Sequence, residues 1–281
     1  MTILLSTRPR PNRLFGLMRT APQAVFQRDP TLAGYGFALL ATAIVLMVVA
    51  GFDGRSLNGE TVWAKPIKFL LSVGLFALTS GWFIGDLPSD RQRAMPARII
   101  RWTIIATGSL ELAYITWQAA LGQPSHFNAT TPFHATMYAL MGLGAVALTA
   151  TALPLAREVW RHGVGLPPAM RLSIVLGLAL TAILGIGTGI VLARHGGHAV
   201  GGIAGAPGLP FTGWSTTGGD LRIPHFLGIH AQQGIPLAGA ASVTWLPRHA
   251  KAAVWVISAL YVVLTLAAFV LALKGRSPFS P

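Results

Sequence analysis

One acidic residue, Glu111, stands by itself inside the apolar run RWTIIATGSLELAYITWQAALG, in a chain of 281 residues that carries only 8 Asp and Glu in all. On a helix Thr107, Glu111, Tyr114 and Gln118 recur at spacings of four, three and four, so they share one face. A carboxylate in hydrocarbon costs several kcal/mol unless it is protonated, paired or wetted, and the stripe is therefore expected to meet other polar groups. A second polar concentration lies in GGDLRIPHFLGIHAQQGIP, where Arg222, His225, His230, Gln232 and Gln233 crowd the first half of another apolar stretch. At 1.5 Å per residue Glu111 and His230 both sit roughly 15 Å below the same end of their helices, a depth at which they can meet.

The chemistry expected of this set is proton transfer by Glu111 and His230. His126, His225 and His230 are the imidazoles that could ligate a metal ion, and His134 with His225 could flank a b-type haem. His225 and His230 are five apart and point about 140° away from each other, so both reach one ion only on a distorted helix. Pro224 or Pro236 could supply the distortion. Arg222, Gln118, Gln233, Asn128 in SHFN, and Lys65 and Lys68 in WAKPIKF are expected to line a vestibule for a small-molecule or lipid ligand. The lysines would also suit a simple reach toward lipid headgroups, and His195 and His198 suit a solvated glycine-rich loop. Cysteine is absent, which excludes disulfides, thiolate metal sites and cysteine nucleophiles.

The elements that must position these residues are membrane helices. The chain is 53% hydrophobic and 10% charged, with a mean hydropathy of +0.59, too few charges to cover a water-soluble globule of this size. The apolar residues gather into segments long enough to cross a hydrocarbon core of about 30 Å. The expected fold is an all-α, polytopic bundle of about seven spans: 31–51, 66–87, 97–121, 131–157, 170–193, 221–246 and 251–273. Residues 1–30 form a basic segment, 194–220 a long Gly-rich outer loop and 274–281 a short tail, around a single transmembrane domain, 31–273.

Fourteen of the 21 Lys and Arg fall in the N-terminal segment and alternate loops on its side, which places the N-terminus in the cytoplasm and the C-terminus outside. The same topology explains the net charge of +13, so nucleic acid is not an expected partner. The N-terminal run, with Arg8, Arg10, Arg13, Arg19 and Arg28 among Leu14, Phe15, Leu17 and Met18, suits an anionic membrane surface. All eight tryptophans fall near a proposed span end, where an amphipathic ring prefers to sit. The glycines of 194–220 lack the Lys-Ser or Lys-Thr pair of a phosphate-binding loop.

WAKPIKF, SHFN and GWSTTGGDLRIPHFLGIHAQQ together resemble a group of uncharacterised bacterial multi-helix membrane proteins. The likeness runs from the first span to the sixth and implies a shared helical fold and a multi-pass place in a bacterial inner membrane, with no activity attached. The chain is similar to retinal proteins only in helix number, since the last span lacks an internal Schiff-base lysine. The His-x-x-x-His pair of ceramidase-like hydrolases is replaced here by the wider spacing of 225 and 230. Three functions remain open: a metal- or haem-assisted membrane enzyme, a proton-coupled transporter or small-molecule-binding protein, and a structural, assembly or sensory protein.

Overall fold

The computed structural model describes residues 22–57, 59–203, 206 and 208–279. The reading of an amphipathic basic segment over residues 1–21 lies outside these described residues. The fold is helical apart from two short hairpins. Helix α1 spans Pro30–Phe52, α2 Ala64–Gly85, α3 Ser89–Arg93, α4 Met95–Ala120, α5 Pro132–Ala150 and α6 Ala152–His162. Helix α7 (Pro168–Leu180) runs through a π-helical turn, Thr181–Gly185, into α8 (Ile186–Arg194). Helices α9 (Arg222–Ile229), α10 (Ala231–Trp245) and α11 (Ala250–Leu273) follow. Strands β1 (Ser56–Leu57) and β2 (Glu60–Thr61) pair antiparallel before α2, and β3 (Ala199–Val200) pairs with β4 (Gly219–Asp220) across the long loop.

Helix starts follow local chemistry. Asp29 caps α1 by accepting the Leu32 N–H at 3.0 Å, and Pro30 occupies the first turn, where its missing N–H removes no helical bond. Thr131 and Pro132 repeat the arrangement at α5, with the Thr131 hydroxyl accepting the His134 N–H at 3.2 Å.

Five helical rods are long and apolar enough to cross a bilayer: Pro30–Phe52, Ala64–Gly85, Pro132–His162, Pro168–Arg194 and Ala250–Leu273. Two expected spans depart from this set for identifiable reasons. The third is one helix, α4, diluted by the polar stripe around Glu111. The sixth is broken at His230, between the two prolines expected to distort it, into pieces of 8 and 15 residues. Pro236 stays inside α10, where its ring denies a bond to the carbonyl four residues earlier.

Apolar side chains face both inward and outward. Leu70, Ile84, Ile100, Ile104, Leu155 and Leu178 belong to one buried cluster drawn from α2, α4, α6 and α7. Ile44, Val45 and Val48 on α1, and Leu260, Val263 and Leu264 on α11, are exposed, the outward apolar surface expected of a membrane protein rather than of a soluble one.

The π turn and the break at His230 interlock. A β-carbon on Gly228 would stand 2.7 Å from the Gly185 nitrogen and 2.8 Å from the Leu184 carbonyl carbon, so the two irregular stretches touch backbone to backbone. The Thr181 hydroxyl accepts the Gln232 N–H at 2.8 Å, and the His225 ring nitrogen Nδ1 lies 3.1 Å from the Gly185 carbonyl oxygen. A π turn leaves carbonyls without their usual helical donors, and a partner of this kind compensates.

Ion pairs collect at the two ends of the rods. At one end Arg28 pairs with Asp86, Arg101 with Asp29 at 2.6 Å and Arg91 with Glu158 at 2.7 Å. At the other, Arg55 pairs with Asp53 at 2.7 Å, Lys68 with Glu60 at 2.8 Å and Arg222 with Asp220 at 2.6 Å.

Candidate functional site

Glu111 lies three turns from the C-terminal end of α4 and is 5% exposed. The segment between α4 and α5 folds back toward it. There Phe127 adopts a left-handed φ of 54°, an unfavourable backbone state for a bulky residue that surrounding contacts must hold in place. Asn128 supplies some of them: its amide donates to the Pro124 carbonyl at 3.0 Å, while its oxygen accepts the Thr130 hydroxyl at 2.7 Å and the Thr130 N–H at 3.2 Å. Its side chain is thereby used in shaping the loop, not in the ligand contact expected of it.

The result is that His126 Nε2 stands 3.8 Å from Glu111 Oε1. Phe69 from α2 and Tyr138 from α5 meet the imidazole edge-on, with centroids 5.6 and 5.9 Å away, and the Ser125 hydroxyl lies 3.2 Å from Nδ1. Burial, and then the nearby Lys65 charge, hold the His126 pKa well below its ordinary value, so the ring is neutral at pH 7. Lys65 acts electrostatically on both Glu111 and His126. Its ammonium lies 5.8 Å from the Phe69 ring centroid, and among the described residues no carboxylate lies within ion-pair distance of it. Above Glu111 on the same helix face, the Tyr114 hydroxyl and both amide atoms of Gln118 are buried without a hydrogen-bond partner among the described residues.

The long loop covers this end. Lys68 donates to both Glu60 oxygens, at 3.0 and 2.8 Å, and to the Thr212 carbonyl at 3.1 Å. Arg222 grips Asp220 through Nε and Nη2 and donates to the Gly213 carbonyl at 2.5 Å. Burial opposes ionisation of Asp220, but the Arg222 fork and the Ser215 and Arg222 N–H groups outweigh it and keep the carboxyl below its ordinary range. His198 is depressed by burial and by Arg222, and Leu221 N–H donates to its carbonyl at 2.9 Å. Lys68 and Arg222 are therefore clamps on the loop, not free ligand-binding cations.

The expected meeting of Glu111 and His230 is replaced by separate partnerships. His230 Nδ1 lies 3.2 Å from Gln233 Oε1 and its ring 4.3 Å from that of Phe226, while the Gln233 amide donates to Thr79 of α2 at 3.1 Å. The proposed metal set is likewise dispersed: His126 faces Glu111, His225 faces the π turn and His230 faces Gln233. Among the described residues no group of three or more His, Asp and Glu is placed to hold a metal ion. His134, the other candidate haem ligand, packs on Phe133 and Thr131.

No family model, curated protein or solved structure matches the chain. The three motifs of the sequence analysis can still be located by role. WAKPIKF supplies Lys65, Lys68 and Phe69; SHFN supplies His126 and the loop that delivers it; and GGDLRIPHFLGIHAQQ supplies the Arg222 clamp and the broken helix. The site missed from the sequence is the one between α4, its following loop and α2. Its only sequence signal was the polar stripe on α4, which marks a face without naming what lies opposite.

Proposed function

We propose that the chain is a seven-span cell-membrane protein, with its N-terminus in the cytoplasm and its C-terminus outside, that couples binding or passage of a small molecule to proton transfer at Glu111 and His126. The seven-span reading is supported by the alternation of the ion-paired ends. Asp29, Asp86, Arg101 and Glu158 lie at one end, and Asp53, Glu60 and Asp220 at the other, as successive crossings by α1, α2, α4, α5–α6, α7–α8, α9–α10 and α11 require. The Arg-rich end is then the cytoplasmic one.

The observation that carries the functional reading is the 3.8 Å approach of His126 to Glu111 with Lys65 in electrostatic reach. A carboxyl, an imidazole and an ammonium gathered at buried depth are costly as a mere packing device, and each can exchange a proton. The unpartnered Tyr114 and Gln118 extend the polar face from Glu111 toward the covered end. The dispersed histidines do not fit a shared metal or a haem, so no step is routed through either.

The test uses protein reconstituted in vesicles with a trapped pH dye and a panel of small organic acids, amines and sugars outside. At least one is expected to drive proton movement in the wild type. Glu111→Gln, whose helical content should be unchanged, is expected to abolish it. Proton movement that survives in Glu111→Gln, or a panel that moves none in the wild type, would overturn the reading.

A further inference from the structure

The Arg-rich end contains a cleft of about 440 Å³ between the start of α1 and the α3–α4 corner, lined by Thr31, Gln92, Arg93, Arg98, Arg101 and Trp102 among others. Its guanidinium groups are not equivalent. Arg101 is bound to Asp29 at 2.6 Å and to the Gln92 carbonyl at 2.8 Å, and Arg28, also at the cleft, is bound to Asp86 and lies 3.8 Å above the Trp82 ring. Those two charges are answered by acids. Arg93 and Arg98 have no acidic partner among the described residues, and both are exposed. The 21 residues that precede the described part contain Arg8, Arg10, Arg13 and Arg19 and no Asp or Glu, so they bring no compensating charge.

What adjoins these two arginines is apolar. Met95, Ile99 and Trp102 follow one another along an exposed face of α4, at 63%, 58% and 61% exposure, with spacings of four and three that keep them on one side of the helix. Two unanswered guanidinium groups at the head of an apolar outward stripe match a molecule with an anionic phosphate at one end and hydrocarbon at the other. Guanidinium is the side chain best suited to bidentate phosphate contacts, and an interfacial Trp marks headgroup depth.

We infer that this cleft is a binding site for an anionic phospholipid, its phosphate held by Arg93 and Arg98 and its acyl chain lying along Met95, Ile99 and Trp102. The site is separate from the Glu111 cluster and needs only that the chain lie in a bilayer. Gln92, which donates at 2.8 Å to the Leu87 carbonyl, and the Asp29–Arg101 pair form its rigid floor.

The test is retention of added lipid by the purified full chain in neutral detergent, read by native mass spectrometry and by the rise in melting temperature. The probes are phosphatidylglycerol, cardiolipin, phosphatidylcholine and inorganic phosphate. The variants are Arg93→Gln with Arg98→Gln, and, as a control for net charge at the same end, Arg248→Gln with Lys251→Gln. Because Arg93 and Arg98 are exposed and unpaired, the first variant should fold normally. The wild type is expected to prefer the anionic lipids over phosphatidylcholine, with affinity falling at least about tenfold in the Arg93/Arg98 variant and little in the control. Equal losses in both variants would reduce the effect to diffuse charge and overturn the site. So would no loss in either. Inorganic phosphate that displaces the lipid at equal concentration would overturn the lipid assignment in favour of a free phosphate.

Discussion

Acidification is the perturbation that reports most directly on the environment of His126. The ring keeps 20% of its side-chain surface exposed, and burial together with Lys65 sets its proton affinity well below that of the unfolded chain, whose value is 6.5. Below pH 6.5 the unfolded state therefore binds a proton that the folded state refuses. Stability owed to the neutral ring is complete above pH 6.5 and is lost as the pH falls through the interval between the two values. The limiting slope for one proton is about 1.4 kcal/mol per pH unit. Near pH 5.5 this corresponds to a fall of about 3 to 5 °C in melting temperature for a protein of this size. The groups that face the ring are Lys65 and Phe69 from α2, Glu111 from α4, Tyr138 from α5 and its neighbour Ser125. Thermal unfolding of wild type and His126→Gln, followed in mild detergent from pH 7.5 to 5, isolates the contribution. His198 shifts in the same direction, by burial and Arg222, but it is common to both proteins and cancels in the difference. The variant should show the shallower pH profile. Parallel profiles would refute the claim that a buried neutral imidazole sits beside Glu111.

Two further perturbations probe the parts that hold the site. Gly228→Ala places a methyl group against the backbone of Gly185 and Leu184, which cannot rotate away; a loss of about 1–3 kcal/mol is expected, and an unchanged melting temperature would contradict the interlock. Lys68→Met removes the three bonds that tie Glu60 and Thr212 together. Both charged partners are partly exposed, with 27% and 37% of their side chains accessible, so global stability should change by no more than about 1 kcal/mol. Limited proteolysis within 208–213 should nevertheless accelerate, and equal cleavage rates would show that the clamp does not hold the loop.

The helical architecture was legible because burial in lipid is written in the sequence as length and apolarity. The expected spans 31–51, 131–157 and 251–273 lie on Pro30–Phe52, Pro132–His162 and Ala250–Leu273. The polar stripe of α4 was legible for a related reason, since a helical period identifies a face from the chain alone. What stands opposite a face is a tertiary fact. Depth along two helices allowed Glu111 to meet His230, but rotation of each rod and the folding back of 121–131 gave Glu111 to His126 instead. That fold-back depends on a left-handed Phe127 and on Asn128 bonding within its own loop, and neither leaves a sequence pattern that distinguishes it from an ordinary connection. Arg222 and Asp220 are two residues apart and could have been read as a local pair. The Gly213 carbonyl that completes the clamp is nine residues away across a loop, beyond any periodic rule.

The five-residue stretch Thr181–Gly185 sets a counting constraint on the chain. A π turn holds one residue more than the α-helical path it replaces, so the halves of this rod are indexed to different neighbours. Gly177, before it, is fitted to Pro236, whereas Gly185, within it, and Gly189, beyond it, are fitted to Ile229 and His225. Losing a single codon here would rotate everything downstream to Arg194 by about 100° and draw it in by about 1.5 Å. Every amino acid past the deletion would keep its identity and lose its address, which makes residue number at this point as strict a requirement as residue type.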